Sequence, residues 1–253
     1  MQPASPFHPD TFLDMCIRRG AARSAAFLSL ALSFCLFATP VAKASDPPAP
    51  AARTIILVRH GAYVADPNNE SPGPGLSSLG VAQAKLAAAR LAGMPGTFDA
   101  LRASPMTRAH DTAKAIAAEL PGLSLEIVPE LAECTPATRR KEITAKEQPE
   151  ELAACAAKLD ALFARLFVPA RGSERRELLV CHGNVTRYLV TRALGVDPQA
   201  WLEMSVAHAS LTQIRVEPDG RFKVISIGDI GHIPPNLQTG STGMEERTLN
   251  TPK

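Results

Sequence analysis

The stretch Ile55-Ile56-Leu57-Val58-Arg59-His60-Gly61 decides how this chain folds. Four apolar, mostly β-branched residues read as a buried strand. It ends abruptly on a cation, an imidazole and a residue free to take φ > 0. In open α/β sheets the ligand crevice lies outside the carboxyl ends of the strands, which turns Arg59 and His60 toward a ligand. Taken alone, the stretch reads equally well as a strand terminus running into a turn. Its meaning depends on the rest of the chain.

Downstream, residues 66–75 are dense in Pro, Asn and Gly and form a loop at the rim of that strand end. Residues 79–91 are Ala-rich with Leu79, Ala82, Leu86, Ala89 and Leu91 on one face, a helix stopped by Gly93 and Pro95. Residues 98–103 read as a second strand leading to Ser104-Pro105-Met106-Thr107-Arg108-Ala109-His110. Ser104 is a good N-cap and Pro105 suits the first helical position, so a helix is expected to run from there to about Leu120. Arg108 then sits in a first turn, the end of a helix that favours anions. It either serves an anion there or pairs with Asp111 or Glu119 on the surface.

A short strand over residues 125–128 leads to a loop carrying Glu130 and Glu133, and residues 149–167 form a long amphipathic helix with Leu152, Cys155, Leu159, Leu162, Phe163 and Leu166 on its apolar face. Residues 177–181 are a third long strand ending on His182-Gly183-Asn184, with a helix from 185 to 194 after it. The first stretch is thus repeated: strand, His-Gly, helix. Residues 211–216 and 221–227, joined by Glu217-Pro218-Asp219-Gly220, form a hairpin and hence an antiparallel edge. The expected fold is α/β, a three-layer sandwich around a mostly parallel sheet.

Composition narrows the function. Of 253 residues, 45% are hydrophobic and 21% charged, which suits one α/β domain with additional ends. The formal charge of +2 lies wholly in residues 1–44, leaving 23 basic and 23 acidic residues in the remainder. No nucleic-acid partner is expected from so even a balance. Arg18, Arg19 and Arg23 lead into the apolar run 25–37, followed by Ala42-Lys43-Ala44. These are the parts of a secretory signal in order, so residues 1–44 are read as a signal peptide, with a possible translation start at Met15. A periplasmic or secreted protein is expected, free of the membrane after cleavage; an uncleaved N-terminal anchor is the alternative. Residues 45–52 are a Pro/Ala linker, 53–235 the folded domain and 236–253 a flexible tail. Cys134 and Cys155 are open to pairing, and Cys181 reads as a small buried residue. No cysteine or histidine spacing suggests a metal, and no cofactor is expected. Sequence leaves the assembly open, a homo-oligomer included.

Two arginines, two histidines and a carboxylate at strand ends and a helix start suit phosphoryl transfer, which is mostly positioning and charge neutralisation. A neutral imidazole can be the nucleophile. No GxxxxGK[ST] loop is present, so P-loop nucleotide hydrolysis is not supported.

Five ordered segments carry a resemblance. Arg59-His60-Gly61, Leu76-Ser77-Ser78-Leu79-Gly80 with Gln83-Ala84, Ser104-Pro105-Met106-Thr107-Arg108-Ala109 with Thr112, Glu133, and His182-Gly183-Asn184 resemble the motifs of the histidine phosphatase superfamily, the phosphoglycerate mutase-like fold. The likeness covers roughly residues 53–235. Within it, residues 180–188, Trp201-Leu202 and residues 228–235 resemble the branch holding the mitochondrial serine/threonine protein phosphatase.

The resemblance implies a metal-independent phosphomonoesterase acting on phosphoprotein or small phosphate esters. His60 would attack phosphorus to form a phosphohistidine, and Arg59, Arg108 and His182 would hold the phosphoryl oxygens. Glu133, preferred over Glu130, would protonate the leaving group and then activate water, with Asn184 as a further substrate-binding donor. His110 and His208 are read as structural or surface residues. The chain lacks the tryptophan-containing stretch of true mutases after Gly61, and Glu133 is not followed by their Arg-His-Tyr, so hydrolysis is favoured over a mutase-type phosphotransferase. A non-catalytic module binding phosphorylated ligands is the alternative of another class.

Overall fold

The computed structural model describes residues 47–69 and 71–241; the expected signal segment lies outside them. In chain order the elements are strands Pro50–Ala51 (β1) and Arg53–Arg59 (β2), helix Ser78–Ala92 (α1), strand Ala100–Ala103 (β3), helix Thr107–Glu119 (α2) and strand Leu125–Ile127 (β4). Helix Pro149–Leu166 (α3), strands Ala170–Arg171 (β5) and Arg175–Cys181 (β6), helix Gly183–Leu194 (α4) and strands Leu211–Val216 (β7) and Phe222–Asp229 (β8) follow. Six strands form one sheet in the order β4-β3-β6-β2-β7-β8. The first four are parallel, and β7 and β8 supply the expected antiparallel edge.

The layers follow from the period of two along β2. Ile55 and Leu57 join one apolar cluster with Leu159 and Leu162 of α3, Leu189 of α4 and Trp201. Ile56 and Val58 belong to the other, with Leu91 of α1 and Ile116 of α2. These side chains are fully buried or nearly so, each worth about 1.5–3 kcal/mol against exposure. With both faces covered, the strand must be apolar throughout, which is why it reads as a continuous run.

α1 is started by Ser77, whose Oγ accepts from the Gly80 N–H at 3.1 Å and donates to the Ala62 carbonyl at 3.1 Å. This ties the helix to the turn after His60. Gly61 and Gly80 lie face to face there, and neither has positive φ. A Cβ on Gly61 would strike the Gly80 carbonyl, and one on Gly80 the Ala62 backbone. Gly61 is therefore required for close approach, not for the left-handed conformation read from sequence.

Three further expectations shift. α2 begins at Thr107, later than the Ser104 cap predicts; Ser104 is taken up by the Met106 N–H and by His182. Pro50–Ala51, inside the expected linker, pairs antiparallel with Ala170–Arg171. The start of the expected tail is packed: the Leu237 carbonyl and Thr239 Oγ1 both accept from Gln83 Nε2, at 2.7 and 2.9 Å. Long-range bonds hold these short pieces, and local sequence carries no trace of them. Cys134 and Cys155 form a disulfide that joins the Glu133 loop to α3, and Cys181 is buried and free.

Candidate active site

Strand register assembles the site. Arg59 pairs with Cys181 across the β2–β6 ladder, and Ala103 pairs with Val180 across β3–β6. His60, His182 and Ser104 therefore emerge side by side at the carboxyl ends of three adjacent parallel strands, the crevice of such sheets. The His60 and His182 ring centres are 5.0 Å apart.

His60 is buried, and its Nδ1 lies 2.8 Å from its neighbour's carbonyl, that of Gly61. A carbonyl only accepts, so Nδ1 carries the proton and Nε2 bears the lone pair. Burial, then the neighbouring His182, Arg59 and His208, hold His60 well below the ordinary imidazole range, so it is neutral at pH 7. Arg108 Nε donates to that Nε2 at 3.2 Å, and the Arg108 guanidinium lies 4.5 Å from the Tyr63 ring centre. Arg108 is thus turned inward and buried, not paired with Asp111 or Glu119. Its guanidinium therefore lies beside His60 in the first turn of α2, the end of a helix where an anion is favoured.

Arg59 Nη1 donates to the Val206 and Gly240 carbonyls at 2.7 and 2.8 Å, while its buried Nε has no partner. Burial brings Arg59 down to about 10, Tyr63 opposing and Arg108 adding to the shift, so it stays charged. His182 Nε2 is 2.8 Å from Ser104 Oγ. Nδ1 faces an acceptor, Glu133 Oε2, so the ring proton is assigned to Nδ1 and the Ser104 hydroxyl donates to Nε2 while accepting from the Met106 N–H. That Nδ1 is buried without a hydrogen-bond partner, 3.5 Å from Glu133 Oε2. Burial, Arg108 and Arg59 keep His182 neutral. Two unsatisfied buried donors, Arg59 Nε and His182 Nδ1, are costly unless an acceptor arrives, and an oxyanion is such an acceptor.

Glu133 is held from α4: its Oε1 accepts the Asn184 N–H at 3.1 Å, a carboxylate at a helix N-terminus. Glu130 faces elsewhere and pairs with Arg165 at 2.9 Å. The Asn184 side chain is committed to the loop, donating to the Cys134 carbonyl at 3.2 Å and accepting from Arg187 at 2.7 Å. It ties the Glu133 loop to α4. A cavity of about 630 Å³ adjoins the group, lined by Tyr63, Asn69, Pro72, Met106, Arg108 and Glu133 among others. Among the described residues, no cluster of three or more His, Cys, Asp or Glu side chains is arranged to hold a metal ion.

Sequence reasoning left several supporting residues without a role. Thr112 accepts the Gly61 N–H at 3.1 Å, and Gln83 accepts the Ala62 N–H at 2.8 Å, so both fix the turn that follows His60. Each stood in a motif, but only the fold shows what it holds. His110 is absent from the pocket lining. His208, read as structural or surface, is buried 5.4 Å from the His60 ring.

A model of the histidine phosphatase superfamily (branch 1) matches residues 55–160 and 135–229. The chain belongs to the histidine phosphatase superfamily. It is 36% identical over 195 residues to the mitochondrial serine/threonine-protein phosphatase Pgam5 of Caenorhabditis briggsae, covering 74% of this chain and 67% of that one. With the human PGAM5 it is 33% identical over 197 residues, covering 76% and 68%. The chain thus spans about two thirds of the length of these curated relatives. Among solved structures, phosphoglycerate mutase of Plasmodium falciparum superposes with TM-score 0.52 at 24% identity, covering 73% of this chain and 95% of that one. Alpha-ribazole phosphatase of Shigella flexneri gives 0.55 at 19%, covering 70% and 96%. Both share the phosphoglycerate mutase-like fold.

These relatives correct one expectation. The signal peptide and the periplasmic or secreted placement do not stand, because the relatives matched over three quarters of this chain are named mitochondrial.

Proposed function

We propose that this phosphatase hydrolyses phosphate monoesters through a phosphohistidine at His60, with phosphoserine or phosphothreonine on proteins as the substrate class that its Pgam5 relatives' names suggest. The observation that carries the reading is the His60 tautomer: Nδ1–H is tied to Gly61, so the Nε2 lone pair points toward Arg108. A phosphoryl group entering there takes over the Arg108 donor and meets the free Arg59 Nε–H and His182 Nδ1–H.

His60 Nε2 forms the N–P bond as the bond from phosphorus to the ester oxygen breaks. Glu133, protonated, gives its proton to the leaving alkoxide. The arginines and His182 absorb charge on the equatorial oxygens. Water then enters, Glu133 takes its proton, the new O–P bond forms and the N–P bond breaks. Neutral His60 is restored. The cavity beside Tyr63 and Met106 receives the organic part of the ester.

The test incubates the full chain with an aryl phosphate and with a phosphoserine peptide. Turnover is expected on at least one, together with an acid-labile phosphoenzyme. Binding of inorganic phosphate without turnover on either would leave only a phospho-ligand-binding module. His60→Ala is expected to reduce turnover by about 10⁴-fold or more.

A further inference from the structure

His208 is buried, charged in neither ring nitrogen at neutral pH, and unused by the mechanism above. Its Nε2 lies 3.1 Å from Arg59 Nη2, and a guanidinium only donates, so Nε2 accepts. Nδ1 therefore carries the proton and donates to Thr239 Oγ1 at 2.9 Å. Thr239 is fixed in turn by Gln83 Nε2 at 2.9 Å, and its carbonyl accepts the His208 N–H at 2.9 Å. The next residue, Gly240, has φ +73° and gives its carbonyl to Arg59; a Cβ there would approach the His208 ring to 2.5 Å. The segment Thr239–Gly240 is thus a strap that seats the imidazole against the arginine.

Arg59 has five hydrogens to donate. Val206 and Gly240 take two at Nη1, and His208 takes one at Nη2. Two remain, on Nε and Nη2, and Nε is buried without a partner. Two adjacent donors on a fixed plane match two oxygens of a phosphoryl group. Three acceptors, two at Nη1 and one at Nη2, hold the planar group against rotation.

We propose that His208 is a positioning residue for Arg59: its Nε2 accepts one guanidinium hydrogen, and the Thr239–Gly240 strap fixes the imidazole, so that the remaining Arg59 donors face the phosphoryl group. This rests on the phosphatase reading above. The role acts on binding of the phosphoryl group and not on the nucleophile or the acid.

Competitive inhibition by orthovanadate and the KM for an aryl phosphate read it, alongside thermal melting of each variant. His208→Leu, similar in bulk and without an acceptor, is expected to raise the vanadate inhibition constant about tenfold, the scale of one charge-assisted hydrogen bond, with KM rising more than kcat falls. His208→Gln carries an amide oxygen near the place of Nε2 and is expected to stay within about threefold of wild type. Thr239→Val removes the partner of Nδ1 without touching Arg59 and is expected to weaken vanadate binding about two- to fivefold. Folded His208→Leu with wild-type inhibition, or His208→Gln impaired as far as His208→Leu, overturns the positioning role. Should His208→Leu fail to fold, unchanged inhibition of Thr239→Val overturns it. Wild-type protein with neither turnover nor vanadate inhibition overturns the phosphatase reading itself, a result distinct from any of these.

Discussion

At the scale of single residues, the two glutamates of the acid loop show what sequence can and cannot separate. Glu130 and Glu133 are three apart and chemically alike, yet one meets Arg165 at the surface and the other the α4 N-terminus beside His182. If Glu133 protonates the leaving group, Glu133→Gln should slow an alkyl phosphate by roughly 10²–10⁴-fold. A nitrophenyl ester, whose leaving group needs no proton, should slow far less. Both losses are read as kcat/KM, which reports phosphoryl transfer to His60, because kcat also carries the water step that the two esters share; equal losses in kcat/KM would remove that assignment. Glu130→Gln should leave both rates unchanged. Arg108 was legible before the fold was known because a cation at the anion-favouring end of a helix is locally inconsistent. His208 was not, since its partner Arg59 is remote in sequence and nothing local marks the contact.

The element that holds His60 is the turn from β2 into the start of α1. Ser77, Gln83 and Thr112 bind its backbone, and Gly61 and Gly80 let the two segments touch. Gly80→Ala forces a Cβ into the Ala62 backbone and should cost about 1–3 kcal/mol or more, lowering Tm by roughly 2–4 °C for each. Gly93→Ala is the control: it ends the same helix at φ −81°, with its nearest neighbour 3.5 Å from the added Cβ, and should change stability by under about 0.5 kcal/mol. Thermal melts of the two variants decide between close approach and general helix propensity. Strands β2 and β6 and helices α1, α3 and α4 were legible as elements because their apolar periods are long and bounded by clear stops. The start of α2 was misplaced because Ser104, a strong cap by type, is instead recruited by a histidine of another strand end.

At the scale of the whole molecule, three buried neutral histidines among the described residues set a pH response. Burial is the largest cause for His60, His182 and His208, the last brought down to about 3. A group with a lower pKa folded than unfolded leaves the unfolded chain binding more protons, so stability is full above the unfolded value and falls as pH drops below about 6.5. Each such histidine contributes a slope of up to about 1.4 kcal/mol per pH unit between pH 6 and 5, roughly 4 for the three. His232, half-buried, is lowered as well; urea midpoints should therefore fall steeply over that interval, and His208→Gln should make the fall measurably shallower. A flat midpoint from pH 7 to 5 would contradict the neutral cluster. The sequence by itself determined the α/β layering, the two His-Gly strand ends and the residue types of a phosphate pocket, because apolar period and chain order are local properties. It did not determine placement of the protein, where the names of the relatives contradict the secretory reading. Only the tertiary structure decided which glutamate faces His182, that Asn184 serves the loop, and that a polar tail segment reaches back to Arg59. Those outcomes depend on strand register and on contacts between residues far apart in the chain, and neither is written in any local pattern.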